Sequence, residues 1–261
     1  MTAAAPRLRC CPDAGALARA AAEELIARAD EAIEQRGRFL LALSGGSTPR
    51  RLFELLAAEP DRERVAWANV DFFWSDERAV DPDHPSSNFR MARESLLDKL
   101  AIAPARIHRM PAERADLDAV ALEHQAALAR VAGVSADGPP PRLDLVLLGM
   151  GTDAHTASLF PHTRALRERE RWVVPGRAPV EPFDRLTLTF PVLNAARCLL
   201  VLVAGADKAA PLAEVLEGPR DPERLPCQSL QPSDGRLLWL VDASATSQLS
   251  HERQRADRVA R

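Results

Sequence analysis

The feature that most limits how this chain can fold is a set of short, almost uninterrupted apolar runs. Each breaks abruptly into polar or glycine-containing sequence. Residues 143–148 read Leu-Asp-Leu-Val-Leu-Leu, residues 39–43 Phe-Leu-Leu-Ala-Leu, residues 70–74 Val-Asp-Phe-Phe-Trp, and residues 198–203 Cys-Leu-Leu-Val-Leu-Val. Each run is too short for a soluble helix and lacks a polar face. Strands buried on both sides of a parallel sheet have this composition.

Helical patterns lie between the runs. Leu17, Ala21, Leu25, Ala29 and Ile33 recur at four-residue steps over residues 14–36, and Gly37 supplies a stop. Ser86 or Ser87 caps a helix from Asn88 to about Lys99. Asp116 caps another through Leu117, Val120, Leu128 and Val131, ended by Gly133. A further helix through Leu212, Val215 and Leu216 stops at Gly218. This alternation predicts an α/β fold: three layers, with a mostly parallel central sheet and helices on both faces. Weaker signals predict a short strand at 106–110, a charged surface helix at 163–171 and a strand at 172–174. They also predict a half-buried alternating strand at 185–189, a short helix from Pro191 to near Arg197 and a last strand at 237–241. Residues 246–261 read as a frayed helix or disordered polar tail. There are no internal repeats, and the Pro-rich piece at 138–141 is too short to mark a boundary. Residues 1–261 are therefore read as one domain, long enough at 46% hydrophobic content for a sizeable core.

The net charge of -3 gives no sign of a nucleic-acid surface, so an anionic ligand must be held by local positive groups. Cys10, Cys11, Cys198 and Cys227 match no zinc or redox spacing, and Cys198 reads as a small buried hydrophobe. His155 and His162 do not lie at a metal spacing, so no metal is expected. The N-terminus lacks a signal-peptide run, and no segment approaches the roughly 18 apolar residues of a membrane span. The expectation is a cytoplasmic protein with no membrane partner.

Four strand ends carry polar cargo. After 39–43 come Ser44, Gly45, Gly46, Ser47, Thr48 and Pro49, with Thr48 suited to cap a helix and Pro49 to begin it. Glycines before a helix N-terminus suit a phosphate, although a plain tight turn would look the same. The Walker ending and the nucleophile-elbow frame are both absent. After 70–74 come Ser75, Asp76, Glu77 and Arg78. Arg78 has the donor fork for a phosphate, though a solvated turn reads alike. After 143–148 come Gly149, Met150, Gly151, Asp153 and His155. After 198–203 come Asp207 and Lys208, a lysine at the end of a helix where its charge is unfavourable without a ligand. In a parallel sheet all four ends face one edge. The inventory suits acid–base chemistry on a phosphorylated small molecule.

SGGSTP, WSDER, HPSSNFRMA, GMGTDAHTASLFP and VAGADKA resemble, in order, the motifs of the 6-phosphogluconolactonases, and the resemblance runs from Ala14 to Ala243. It implies hydrolysis of 6-phospho-D-glucono-1,5-lactone in the oxidative pentose phosphate pathway. It also implies no cofactor, and the Rossmann-like fold shared with glucosamine-6-phosphate deaminases and ribose-5-phosphate isomerases. On this resemblance His155 is the general base and Asp153 orients it. The phosphate lies on Ser44, Gly45, Gly46, Ser47 and Thr48, clamped by Arg78 and Lys208. Asp76 and Asn88 are candidates for substrate hydroxyls, and backbone N–H groups around Gly149 and Gly151 for the oxyanion. A monomer and a small homo-oligomer both remain open.

The family's Asp-Gly-His appears here with Ala154 in place of the glycine. Either the backbone there lies in an ordinary region, or the loop has shifted. The related deaminases are the alternative. Their stretch carries a glutamate where Phe160 stands, and Asp-Glu-Tyr where this chain has Asp76-Glu77-Arg78, so both differences favour the lactonase. A sugar-phosphate sensor on the same fold is a third possibility, against which Asp153 and His155 argue.

Overall fold

The computed structural model describes residues 6–250 and 253. The chain runs β1 (Arg7–Cys11), α1 (Ala14–Arg36), β2 (Phe39–Leu43), α2 (Ser47–Leu56), β3 (Val70–Trp74), β4 (Asp76–Arg78), α3 (Asn88–Ser95), α4 (Leu117–Ala132) and β5 (Leu145–Gly149). It continues through β6 (Val173–Arg177), β7 (Asp184–Leu188), α5 (Phe190–Ala195), β8 (Cys198–Val203), α6 (Ala209–Glu217) and β9 (Arg236–Asp242). Six strands form a parallel sheet in the order β1-β9-β8-β5-β2-β3. The remaining three form a separate antiparallel sheet, β4-β7-β6, which the sequence reading did not contain.

Side chains alternate across each strand, and this builds two cores. Leu40 and Ala42 of β2 join one core with residues of α4, α5, α6 and the small sheet. Phe39, Leu41 and Leu43 join the other with α1, α2 and α3. The expected three-layer α/β architecture follows from these two cores. Cys198 is buried as expected, and burial pushes its thiol up to about 12.

Side chains cap three helices, at the expected Ser87 and Asp116 and also at Asp13, which the sequence had not marked. Asp13, Ser87 and Asp116 each accept a backbone N–H three residues on, at 2.8, 3.1 and 2.9 Å. Such a cap contributes about 1 kcal/mol. Gly37 and Gly133 close α1 and α4 in the left-handed region, at φ 71° and 74°.

Other expectations fail for local reasons. Residues 106–110 give only a bridge from Ile107 to Phe72, because Arg106 and His108 turn in to the Asp71 carboxylate at 2.9 and 3.0 Å. The helix at 163–171 shrinks to a 3-10 turn, Arg164–Arg167. Beyond it the Glu168 carboxylate collects the N–H groups of Arg169, Glu170 and Arg171 in place of helical carbonyls. Residues 246–250 form turns that bury Leu249 in the first core, so this part of the expected tail is packed. Residues 251, 252 and 254–261 of that tail lie outside the described residues. Among the described residues, no helix is long and apolar enough to cross a membrane.

The strand order places the site. From β2 the chain moves outward to β3, whereas β5 pairs on the other flank of β2. Direction reverses between β2 and β5. A crevice opens outside the carboxyl ends at such a switch point.

Candidate active site

At the end of β2, the helix starts one residue before Thr48. Ser47 is the first residue of α2, Gly46 occupies the capping position at φ 109°, and no side chain caps this end. Thr48 and Pro49 therefore fall inside the first turn instead of capping and opening it. Only glycine adopts the Gly46 conformation easily, so the helix can begin sharply. Its first amides meet no protein cap, unlike those of α1, α3 and α4, and the positive end of the helix dipole faces the switch point.

Gly45 is needed for a different reason. A Cβ there would lie 1.9 Å from Asn88 Oδ1. Asn88, 2% exposed at the start of α3, sits against this turn and donates from Nδ2 to the Asp76 backbone oxygen at 2.9 Å. Asp76 in turn accepts from Ser158 Oγ at 2.6 Å. Asp76 and Asn88 were expected at substrate hydroxyls. They are buried and bonded to one another, so they brace the β2 turn, β4 and the loop after β5.

The segment 75–78 is not a solvated turn. Ser75, Asp76 and Glu77 are buried. The Glu77 carboxylate accepts the N–H groups of Asn88 and Phe89 at 2.8 and 2.7 Å, holding the N-terminus of α3. Burial pushes its pKa up, and these hydrogen bonds only partly offset it. Arg78 donates Nη1 to the Ser86 carbonyl at 2.8 Å. Arg185, its partner across β4 and β7, is more deeply buried than Arg78 and was not singled out from sequence. The alternation Arg185-Leu186-Thr187-Leu188 does separate two faces. The polar face, however, lies under the loop that carries Ser158, whose N–H donates to Thr187 Oγ1 at 3.1 Å.

After β5 the loop tightens around the candidate base. His155 Nδ1 is 2.5 Å from Asp153 Oδ1. Burial pushes the Asp153 carboxyl up, but the hydrogen bond and charge of His155 outweigh it, and the net shift is downward. Gly151 leaves room for this pair, because a Cβ there would lie 2.0 Å from His155 Nδ1 and 2.6 Å from Asp153 Oδ1. The Gly151 N–H donates to the His155 carbonyl at 2.9 Å, closing the loop, so it is not a free oxyanion donor as expected. Ala154 answers the question raised by the missing glycine. It stands at φ 60° and is fully buried, so alanine occupies a left-handed position without displacing the pair. The Phe160 ring packs on the imidazole at 4.2 Å between centroids, tilted by 36°.

Cys227 lies behind the loop, with Sγ 3.8 Å from the His155 carbonyl oxygen. Burial and the Asp153 charge push its thiol pKa up, which leaves it poorly suited as a nucleophile. Lys208 immediately precedes α6, with Nζ 3.3 Å from Asp207 Oδ2. Asn88, Asp76 and Ser158 form one hydrogen-bonded unit, Gly45 packs against its Asn88 amide, and Lys208 enters from the β8 end. Among the described residues, no group of three or more His, Cys, Asp or Glu could hold a metal ion.

The family model for glucosamine-6-phosphate isomerases/6-phosphogluconolactonase matches residues 12–239. A 6-phosphogluconolactonase from Nostoc sp. is 44% identical over 239 residues, covering 92% of this chain and 96% of the relative. The crystal structure of 6-phosphogluconolactonase from Leishmania guyanensis superposes with a TM-score of 0.80 at 32% identity, over 95% of this chain and 100% of that one. A monomeric glucosamine-6-phosphate deaminase superposes at 0.77 with 21% identity, over 93% of this chain and 99% of that one, which is a likeness of fold alone.

Proposed function

The chain belongs to the family of glucosamine-6-phosphate isomerases and 6-phosphogluconolactonases, and within it we propose that the chain hydrolyses 6-phospho-D-glucono-1,5-lactone to 6-phosphogluconate. The observation that carries this reading is the His155–Asp153 pair after β5 and the uncapped start of α2 after its parallel neighbour β2. It combines a base with an anion seat at one crevice. Phe160 packs on His155 at the position where the deaminases carry a glutamate, which favours the lactonase over an aminosugar substrate.

The substrate phosphate rests on the amides of residues 44–48, and Arg78 and Lys208 supply the opposing charge. Asp153 accepts the Nδ1 proton of His155, which leaves Nε2 to accept a proton from water. The hydroxide oxygen bonds to the lactone carbonyl carbon, and the carbonyl π pair moves onto oxygen. As that pair returns, the bond from this carbon to the ring oxygen breaks. The imidazolium gives its proton to the departing oxygen, which becomes the sugar's free hydroxyl. No step draws on a metal or an organic cofactor. We place the reaction in the cytoplasm, on one α/β unit.

The test is hydrolysis of freshly generated lactone, corrected for its spontaneous rate, with EDTA present. Turnover that survives EDTA, without ammonia release from glucosamine 6-phosphate, is expected. Ammonia release at a comparable rate would transfer the assignment to the deaminases.

A further inference from the structure

Arg78 and Arg185 are direct Cα partners across the antiparallel ladder of β4 and β7, so their side chains leave the sheet on the same face. Directly opposed like charges destabilise a strand pair. Arg185 is 5% exposed, and its Nη1 has no hydrogen-bond partner among the described residues. Arg78 is satisfied at Nη1 by the Ser86 carbonyl, yet its Nε is buried without a partner.

The neighbouring acids are occupied elsewhere. Asp76 is engaged by Ser158 and Asn88. Glu77 holds the backbone of α3. Asp184 pairs with Arg177 at 3.0 Å. Burial and then the Arg78 charge push the Arg185 pKa down, the direction expected of a cation lacking an anion. The fold alone gains nothing from two facing guanidiniums with unmet donors.

The face they share is the one that carries the base. Asp76 and Thr187 are the next same-face pair along the ladder, and both bond Ser158, three residues after His155. Gly176, the β6 partner of Arg185, leaves space there. A Cβ on it would lie 3.3 Å from the Ser158 carbonyl oxygen.

We infer that Arg185 and Arg78 together form a two-guanidinium seat for an oxyanion of the substrate, which makes Arg185 a specificity-determining residue of this site. The inference rests on the proposed sugar-phosphate chemistry. A guanidinium fork matches the paired oxygens of a phosphate or a carboxylate. Either the 6-phosphate or the carboxylate formed at C1 supplies that chemistry.

Titration calorimetry of the whole chain with 6-phosphogluconate, glucose 6-phosphate and gluconate separates the two sources. Arg185→Gln should weaken 6-phosphogluconate about ten- to a hundredfold with little change in melting temperature, the loss of one charge-assisted contact. Arg185→Lys should recover part of the affinity but not the fork. A parallel loss for glucose 6-phosphate identifies the phosphate as occupant. A loss seen for 6-phosphogluconate and gluconate but not glucose 6-phosphate identifies the carboxylate. Wild-type affinity for all three ligands in Arg185→Gln overturns the seat. If Arg185→Gln does not fold, full affinity in Arg185→Lys overturns it as well. A wild-type protein that binds none of the sugar ligands, yet binds inorganic phosphate through Arg185, would sink the proposed substrate and leave the seat standing.

Discussion

His155 Nδ1 approaches Asp153 Oδ1 to 2.5 Å, and the same Asp153 oxygen accepts the His155 backbone N–H at 3.2 Å. One carboxylate oxygen therefore fixes both the ring and the backbone of the residue read as the base. This geometry selects the tautomer with Nε2 as the free acceptor. His155→Ala should lower kcat by about 10²–10⁴ while 6-phosphogluconate still binds. Asp153→Asn should lower kcat in the same direction by disturbing the tautomer. Steady-state kinetics, product titration and melting of one preparation check this. A folded His155→Ala protein with near wild-type kcat would end the general-base role.

Gly151 gives a test that leaves both dyad residues in place. Its missing side chain is the space that His155 and Asp153 occupy. Gly151→Ala should lower kcat by about 10² or more, within the span of general-base catalysis. Product affinity should change little, because the phosphate contacts lie on other strand ends. Equal losses in kcat and product affinity would show a collapse of the whole site.

Ala154 stands at φ 60° with its methyl fully buried. A left-handed non-glycine residue costs about 1–2 kcal/mol. Glycine would relieve that, but it adds roughly 0.5–1 kcal/mol of backbone entropy and forgoes about 0.8 kcal/mol of buried methyl. These effects nearly cancel, so Ala154→Gly should shift the melting temperature little. Ala154→Val should be clearly destabilised, because a β-branched residue fits this region poorly and the site is full. Thermal melts of the two variants decide it, and a tolerated valine would contradict the strain.

His124 on α4 is buried edge-on to Phe73, with Nε2 unpartnered among the described residues. Burial, and secondarily the charge of His108, lower its pKa to about 4. As pH falls, the unfolded chain takes up this proton first, near about 6.5. The associated stability is complete above that value, declines as pH falls, and levels off below the folded pKa. The total loss is about 3 kcal/mol. Urea titrations of His124→Leu should show a flatter stability profile between these pH values. An unchanged slope would assign acid sensitivity to other groups.

The parallel sheet and its helices were legible because doubly buried strands admit few residues besides Val, Leu, Ile and Phe, and because Ser87 and Asp116 cap where such residues should. The turn at 44–48 and the His155 loop were legible for the same reason, as abrupt breaks after apolar runs. Arg185 was not. Its alternating strand reads as half solvated, and only the tertiary fold lays the Ser158 segment over that polar face. The roles of Asp76 and Asn88 were also hidden, since a buried carboxylate–amide pair and a substrate contact use the same residue types. β1 escaped notice because Arg7 and Arg9 break its apolar pattern, as an edge strand's exposed side allows.

That edge strand has a practical meaning. β1 pairs along its whole length with β9, so the first and last strands of the parallel sheet are stitched together. The family match begins at residue 12, just past β1. A chain begun at residue 12 would uncover the flank of β9 beside Trp239 and lose the charges of Arg7 and Arg9, which guard the edge against pairing with other strands. Such a trimmed protein would fail by self-association, with every residue of the crevice still present.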